Sequence, residues 1–138
     1  MIIMDNKELI RLALEARKAA YVPYSGFKVG AALLTKEGKV YKGCNIENAG
    51  YTPTNCAERT AFFKAVSEGE REFAAIAIVG GKGELPDNYA YPCGVCRQVM
   101  MEFCDPKTFR VITAISEDEY LDKTLEEMLP YGFGPSNL

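Results

Sequence analysis

The run Phe73-Ala74-Ala75-Ile76-Ala77-Ile78-Val79 carries no polar side chain, so neither face of that segment can be left in water. It predicts a strand inside a sheet, covered on both sides. Helical signals flank it. Upstream, Asn55 is placed to cap a helix that turns Ala57, Ala61, Phe62 and Ala65 inward and ends at Gly69. Downstream, Pro92 precedes a helix running to about Phe103 and stopped by Asp105-Pro106. Strands alternating with helices imply an α/β layered domain built on one sheet.

The remaining elements follow the same grammar. Asp5 with Glu8 reads as a capping box for a first helix, with Leu9, Leu12, Ala13, Ala16 and Ala20 at helical spacing and Pro23 and Ser25-Gly26 ending it. Residues 27–35 and 39–44 are strand-like, and Lys36-Glu37-Gly38 joins them as a hairpin. Gly80-Gly81-Lys82-Gly83, with Pro86, Asp87 and Asn88, reads as a flexible connection. Residues 109–115 form another apolar strand. Residues 119–123 make a short edge strand before a capping box at Thr124 and Glu127.

A chain of 138 residues can bury its own core, and it reads as a single domain over 1–138. No apolar run approaches the roughly 20 residues needed to span a bilayer. Met1-Ile2-Ile3-Met4 is followed at once by Asp5, Lys7 and Glu8, so no secretory leader is expected. Sixteen Lys and Arg against 19 Asp and Glu give a net charge of −3 without a basic run, which disfavours nucleic acid as a partner. Five unevenly spaced cysteines suit a reducing cytoplasm rather than a disulfide framework.

Those cysteines carry the chemistry. Cys56-Ala57-Glu58 and Pro92-Cys93-Gly94-Val95-Cys96 each fall at a predicted helix start, where unpaired N–H groups and the helix dipole stabilise a thiolate. Three thiolates can hold zinc and leave a fourth position open, the arrangement of a catalytic rather than a structural site. Glu58, two residues from Cys56, is then free to take a proton from water and pass it to substrate, in a chain without histidine. A helix glutamate drawn to the positive dipole end is the competing reading.

Three thiolates leave a zinc site with a charge of −1, which weakens it as an acid unless offset. Arg59 and Arg97, each beside a ligand turn, are candidates to hydrogen-bond the sulfurs. Arg59 as a surface helix arginine is the plain alternative. A structural site would need a fourth ligand; Cys104 is about two turns, roughly 12 Å, from Cys96, while Cys44 is harder to exclude. A Cys-x-x-Cys redox pair is a further alternative.

Together these blocks resemble the small homotetrameric cytidine deaminases. The resemblance runs nearly end to end, through the 22–33 segment VPYSGFKVGAAL, the 43–49 segment GCNIENA, Cys56-Ala57-Glu58-Arg59-Thr60-Ala61, Pro92-Cys93-Gly94-Val95-Cys96-Arg97-Gln98 and the 129–135 tail. It implies a three-layer α/β/α sandwich around a five-stranded mixed sheet. It also implies one zinc per subunit on Cys56, Cys93 and Cys96, with Glu58 shuttling protons, a zinc-deaminase signature that is well described.

By the same resemblance, cytidine and 2′-deoxycytidine are hydrolysed to uridine and deoxyuridine with release of ammonia, in pyrimidine salvage. Asn45 and Glu47 would hold the ribose 3′-hydroxyl, Phe27 would pack near sugar and base, and the Ala57 backbone would meet the pyrimidine. Ala49, Tyr51 and Phe133 would reach into a neighbouring subunit's site. Read without the family, Asn45 and Glu47 are a solvated strand end, and Phe133 is a tail residue packed on its own subunit. The nearest rival is a nucleoside-antibiotic deaminase of the same family, such as those acting on blasticidin S. The complete Gly43–Asn48 run favours an ordinary nucleoside.

Overall fold

The apolar run becomes the middle strand of a five-stranded sheet in the computed structural model, which describes residues 4–138. Met1, Ile2 and Ile3, read above as part of a chain start without a leader, lie outside the described residues. In chain order the elements are α1 (Asn6–Arg17), β1 (Lys28–Thr35), β2 (Val40–Cys44), α2 (Ala57–Ser67), β3 (Phe73–Gly81), α3 (Gly94–Phe103), β4 (Arg110–Ser116), β5 (Glu119–Thr124) and α4 (Leu125–Met128). A short 3-10 turn, Pro135–Asn137, follows. The strand order is β2-β1-β3-β4-β5. Within this sheet β3 and β4 pair in parallel and the other neighbouring strands antiparallel, so the sheet is mixed, as the resemblance implied.

Side chains alternate across the sheet, and the two faces are filled differently. Ala31, Leu33, Ile76, Ile78 and Val111 face a core shared with Ala57, Phe62 and Met100 of α2 and α3. Ala32, Ala75, Ala77, Val79 and Ala114 face Leu9, Ile10 and Ala13 of α1. These are the three layers of the sandwich. The alanines on the α1 side let that helix lie close. At Gly30 a Cβ would stand 2.1 Å from the Ala13 carbonyl oxygen, so β1 and α1 touch backbone to backbone. Phe62 fills the other face in contact with Phe73, Phe103 and Phe109. Its truncation to alanine is of the kind that costs about 3–5 kcal/mol.

Several expected boundaries move, each because a tertiary pairing outweighs a local signal. α1 ends at Arg17 rather than near Pro23, leaving Ala20 outside it. The chain turns there so that Tyr21 can pair in parallel with Ile46, the Tyr21 N–H donating to the Asn45 carbonyl. Asp5 caps α1 through the Lys7 N–H, and the reciprocal Glu8 bond is not among the contacts of the described residues. Asn55 is not the α2 cap, because it pairs antiparallel with Ile46, and Cys56 takes the cap position. Gly80 and Gly81 belong to β3, paired with Val29 and Lys28, so the connection begins at 82. The capping box at Thr124 and Glu127 is present with both bonds. Among the described residues, no helix is long and apolar enough to cross a membrane.

Candidate active site

The two helices on the α2/α3 face bring the separated cysteines together. Cys56 is the N-cap of α2 and Cys93 the N-cap of α3, with Cys96 in the first turn of α3. Their sulfurs all lie within 4.8 Å of one another, and Cys56 Sγ and Cys93 Sγ are 3.8 Å apart. A tetrahedron of Zn–S bonds of about 2.3 Å has an edge of about 3.8 Å, which the Cys56–Cys93 pair matches. Among the described residues the cluster is Cys56, Cys93 and Cys96, and Cys44 and Cys104 are not part of it, so three sulfurs would hold the ion. The hairpin supports this placement: a Cβ on Gly43 would stand 2.5 Å from the Ala57 carbonyl oxygen, so β2 seats the first turn of α2 directly.

Charge around the sulfurs is arranged as a thiolate site requires. Arg59 Nη2 donates to Cys56 Sγ over 3.2 Å. Its Nε is buried and has no partner among the described residues. The Cys56 thiol is pulled down to about 5, first by a hydrogen bond with Cys96 and then by Arg59, against the effect of burial. Cys96 is pushed up by the neighbouring Cys56 sulfur and by its burial. Arg97 does not serve the sulfurs. Its guanidinium donates to the carbonyls of Pro92 and Met128 and ties the start of α3 to the end of α4.

Glu58 is 4 % exposed, one position after the first α2 residue, and it makes no salt bridge among the described residues. Burial pushes its carboxyl up to about 7, with the Cys56 thiolate adding to the effect. A solvated helix-end glutamate is therefore not what the fold makes of it.

Glu58 opens on a cavity of about 480 Å³ lined also by Cys56, Cys93, Ala57, Phe27, Asn45 and Glu47. Ser25, Val29, Ile78, Tyr89, Ala90 and Tyr91 complete its walls, and of these all but Tyr91, which stands directly before Pro92, were not anticipated as site residues. Gly80 makes the floor possible: a Cβ there would meet Ala90 Cβ at 2.8 Å and the Phe27 ring at 3.1 Å. A glycine inside an apolar strand was the available signal for that close approach. Asn45 accepts from the Val29 N–H and donates to the Phe27 carbonyl, extending β1 sideways, and keeps one amide hydrogen for another partner. Glu47 accepts from the Tyr24 and Ser25 N–H groups and from the Ser25 hydroxyl.

Three expected contacts lie off this cavity within the protomer. Tyr51, at φ 59°, lines an adjoining cleft with Tyr24, Ser25, Glu47, Asn48 and Thr54. Ala49 is exposed nearby. Phe133 is exposed, its carbonyl held by Gln98 of α3.

A three-sulfur centre with a buried carboxylate, at the starts of two helices on one face of a mixed sheet, defines a zinc-dependent deaminase domain. Residues 4–112 match the family described as the cytidine and deoxycytidylate deaminase zinc-binding region. The cytidine deaminase of Halalkalibacterium halodurans is 52% identical over 131 residues, 94% of this chain and 95% of that one. That of Sporosarcina psychrophila is 48% identical over 135 residues, 98% of this chain and 96% of that one. The crystal structure of cytidine deaminase from Burkholderia pseudomallei superposes with a TM-score of 0.86 at 48% identity, covering 94% of this chain and all of that one. The chain belongs to the cytidine deaminase family.

Proposed function

We propose that the chain is a zinc-dependent cytidine deaminase that converts cytidine and 2′-deoxycytidine, with water, to uridine and 2′-deoxyuridine plus ammonia. The observation that carries this is Glu58, a buried carboxylate between the sulfur cluster and a cavity of nucleoside size. Cys56, Cys93 and Cys96 would hold zinc, which when bound would supply Lewis-acid activation of water near neutral pH. Glu58 takes the proton released as water adds at C4 and delivers it to N3; it then takes the remaining proton from the C4 hydroxyl and passes it to the amine, so that C4=O forms as the C4–N bond breaks and ammonia leaves. The two helix starts, together with Arg59, balance the negative charge of the sulfurs.

The cavity walls bind and orient. Phe27 packs against sugar and base, and the Ala57 backbone meets the pyrimidine edge. The free amide hydrogen of Asn45 and the remaining lone pairs of Glu47 suit a ribose hydroxyl, which both donates and accepts. Ala49, Tyr51 and Phe133 complete the site of a neighbouring subunit in a homotetramer, a reading supported by their exposure in the protomer. The whole of 1–138 acts as one domain, in the cytoplasm, in pyrimidine salvage.

The test is zinc-quantified protein given cytidine, with uridine and ammonia followed, beside Glu58→Ala. Turnover lost by at least about 10³-fold in a variant that still holds one zinc per chain supports the reading. Equal turnover in the two proteins sinks the proton-shuttle role. No turnover by zinc-loaded wild type with either cytidine or deoxycytidine sinks the substrate.

A further inference from the structure

Arg17, at the end of α1, is 5 % exposed although it carries a full charge. No carboxylate lies within salt-bridge distance of it among the described residues. A buried guanidinium survives only if its donors are met, and here backbone carbonyls meet them. Nε donates to the Lys28 carbonyl at 3.0 Å and Nη1 to that of Glu84 at 2.8 Å. Nη2 donates to Gly81 at 2.6 Å and to Gly83 at 2.5 Å. Lys28 and Gly81 are paired across β1 and β3, so one side chain seals the end of that ladder and captures the loop that leaves it.

What these carbonyls belong to gives the contact its meaning. Lys28 follows Phe27 and precedes Val29, two residues of one cavity wall. The captured loop continues to Tyr89, Ala90 and Tyr91, a further stretch of the wall that comes close to the Phe27 ring at Gly80, and then to Cys93. Loop segments with few partners of their own open easily, and 82–85 is exposed. We infer that Arg17 is a positioning residue for the nucleoside cavity, its guanidinium fixing the Tyr89–Tyr91 wall against the Phe27 wall. The planar fork suits this task, because it presents donors in several fixed directions, whereas an ammonium is a compact point. The inference rests on the cavity being the nucleoside site.

The test uses zinc-loaded wild type, Arg17→Met and Arg17→Lys, with cytidine kinetics and amide hydrogen exchange of 82–91. For Arg17→Met we expect KM to rise about tenfold with kcat changed less than about threefold, as for a loss of binding rather than of chemistry. Zinc content should stay at one per chain, and exchange at 82–91 should quicken while β4 stays protected. Arg17→Lys should recover part of both effects, and it decides the matter if Arg17→Met does not fold. A residue that only fills the core would lower Tm and leave KM and the 82–91 exchange pattern alone, and that result overturns the inference. If wild type fails to turn over cytidine, the substrate reading falls, while unchanged exchange at 82–91 would separately overturn the clamp.

Discussion

Arg59 Nη2 and Cys56 Sγ are held 3.2 Å apart, a charge-assisted contact between the cap of α2 and a residue in its first turn. Arg59→Gln removes a positive charge from beside the sulfurs and keeps much of the shape. We expect kcat to fall about tenfold or more, the loss of one charged hydrogen bond. The rising limb of the pH–rate profile should move to higher pH. Stopped assays across pH, with zinc measured in each sample, check this. An unchanged profile and rate would remove Arg59 from the site's electrostatics.

The cysteines divide into two groups by geometry, and zinc content should follow that division. Cys93→Ser should lose most bound zinc and show a lower Tm, since metal held only by the folded state stabilises it. Cys44→Ser and Cys104→Ser should each retain one zinc per chain, because neither sulfur is in the cluster. Metal analysis after dialysis against a weak chelator distinguishes them. Zinc loss from Cys44→Ser would mean a closed site with a fourth ligand.

Gly80→Ala puts a methyl group where the Ala90 side chain and the Phe27 ring already meet. Overpacking of this kind costs about 1–3 kcal/mol. Because the strained atoms line the cavity, KM for cytidine should rise more than Tm falls in relative terms, while zinc stays bound. Michaelis kinetics beside thermal unfolding measure the two effects.

Glu47 is held ionised below its ordinary pKa of 4.5, chiefly by the Ser25 hydroxyl and then by the Ser25 and Tyr24 N–H groups. A carboxylate depressed by folding contributes stability that is present above the unfolded pKa and lost as pH falls through the folded one. Glu47→Gln should therefore lose stability above about pH 4.5, pH 7 to 8 included, and converge with wild type in acid, where wild type has already given that contribution up. If Glu47 also binds the ribose, cytidine turnover should drop in a variant that keeps its zinc. Urea melts from pH 3 to 8 and kinetics at neutral pH read the two effects separately.

Much of the site was legible because its chemistry is local in sequence. Cys56 and Glu58, and Cys93 and Cys96, sit together within single turns, so spacing alone placed each group at a helix start. What sequence did not reveal depends on distant pairings. Ile46 is gripped on two sides, by Tyr21 and by Asn55, and those bridges end α1 early and move the α2 cap to Cys56. Arg97, like Arg59, lies in the first turn of a ligand-bearing helix, yet α4 supplies a carbonyl that draws it away. Arg17 carries no signal of its own in the sequence, where it falls inside the expected first helix. Only the fold shows the four carbonyls it faces.

Gly30 and Gly43 leave no clearance between the β1–β2 hairpin and the helices on either side of it. For a laboratory selection towards bulkier nucleosides, this makes adaptation directional. Room can be gained along 89–91, whose side chains line the cavity, and not at the two glycines, where main chain meets main chain. Sequencing the survivors should find changes gathered at Tyr89, Ala90 and Tyr91, with both glycines untouched.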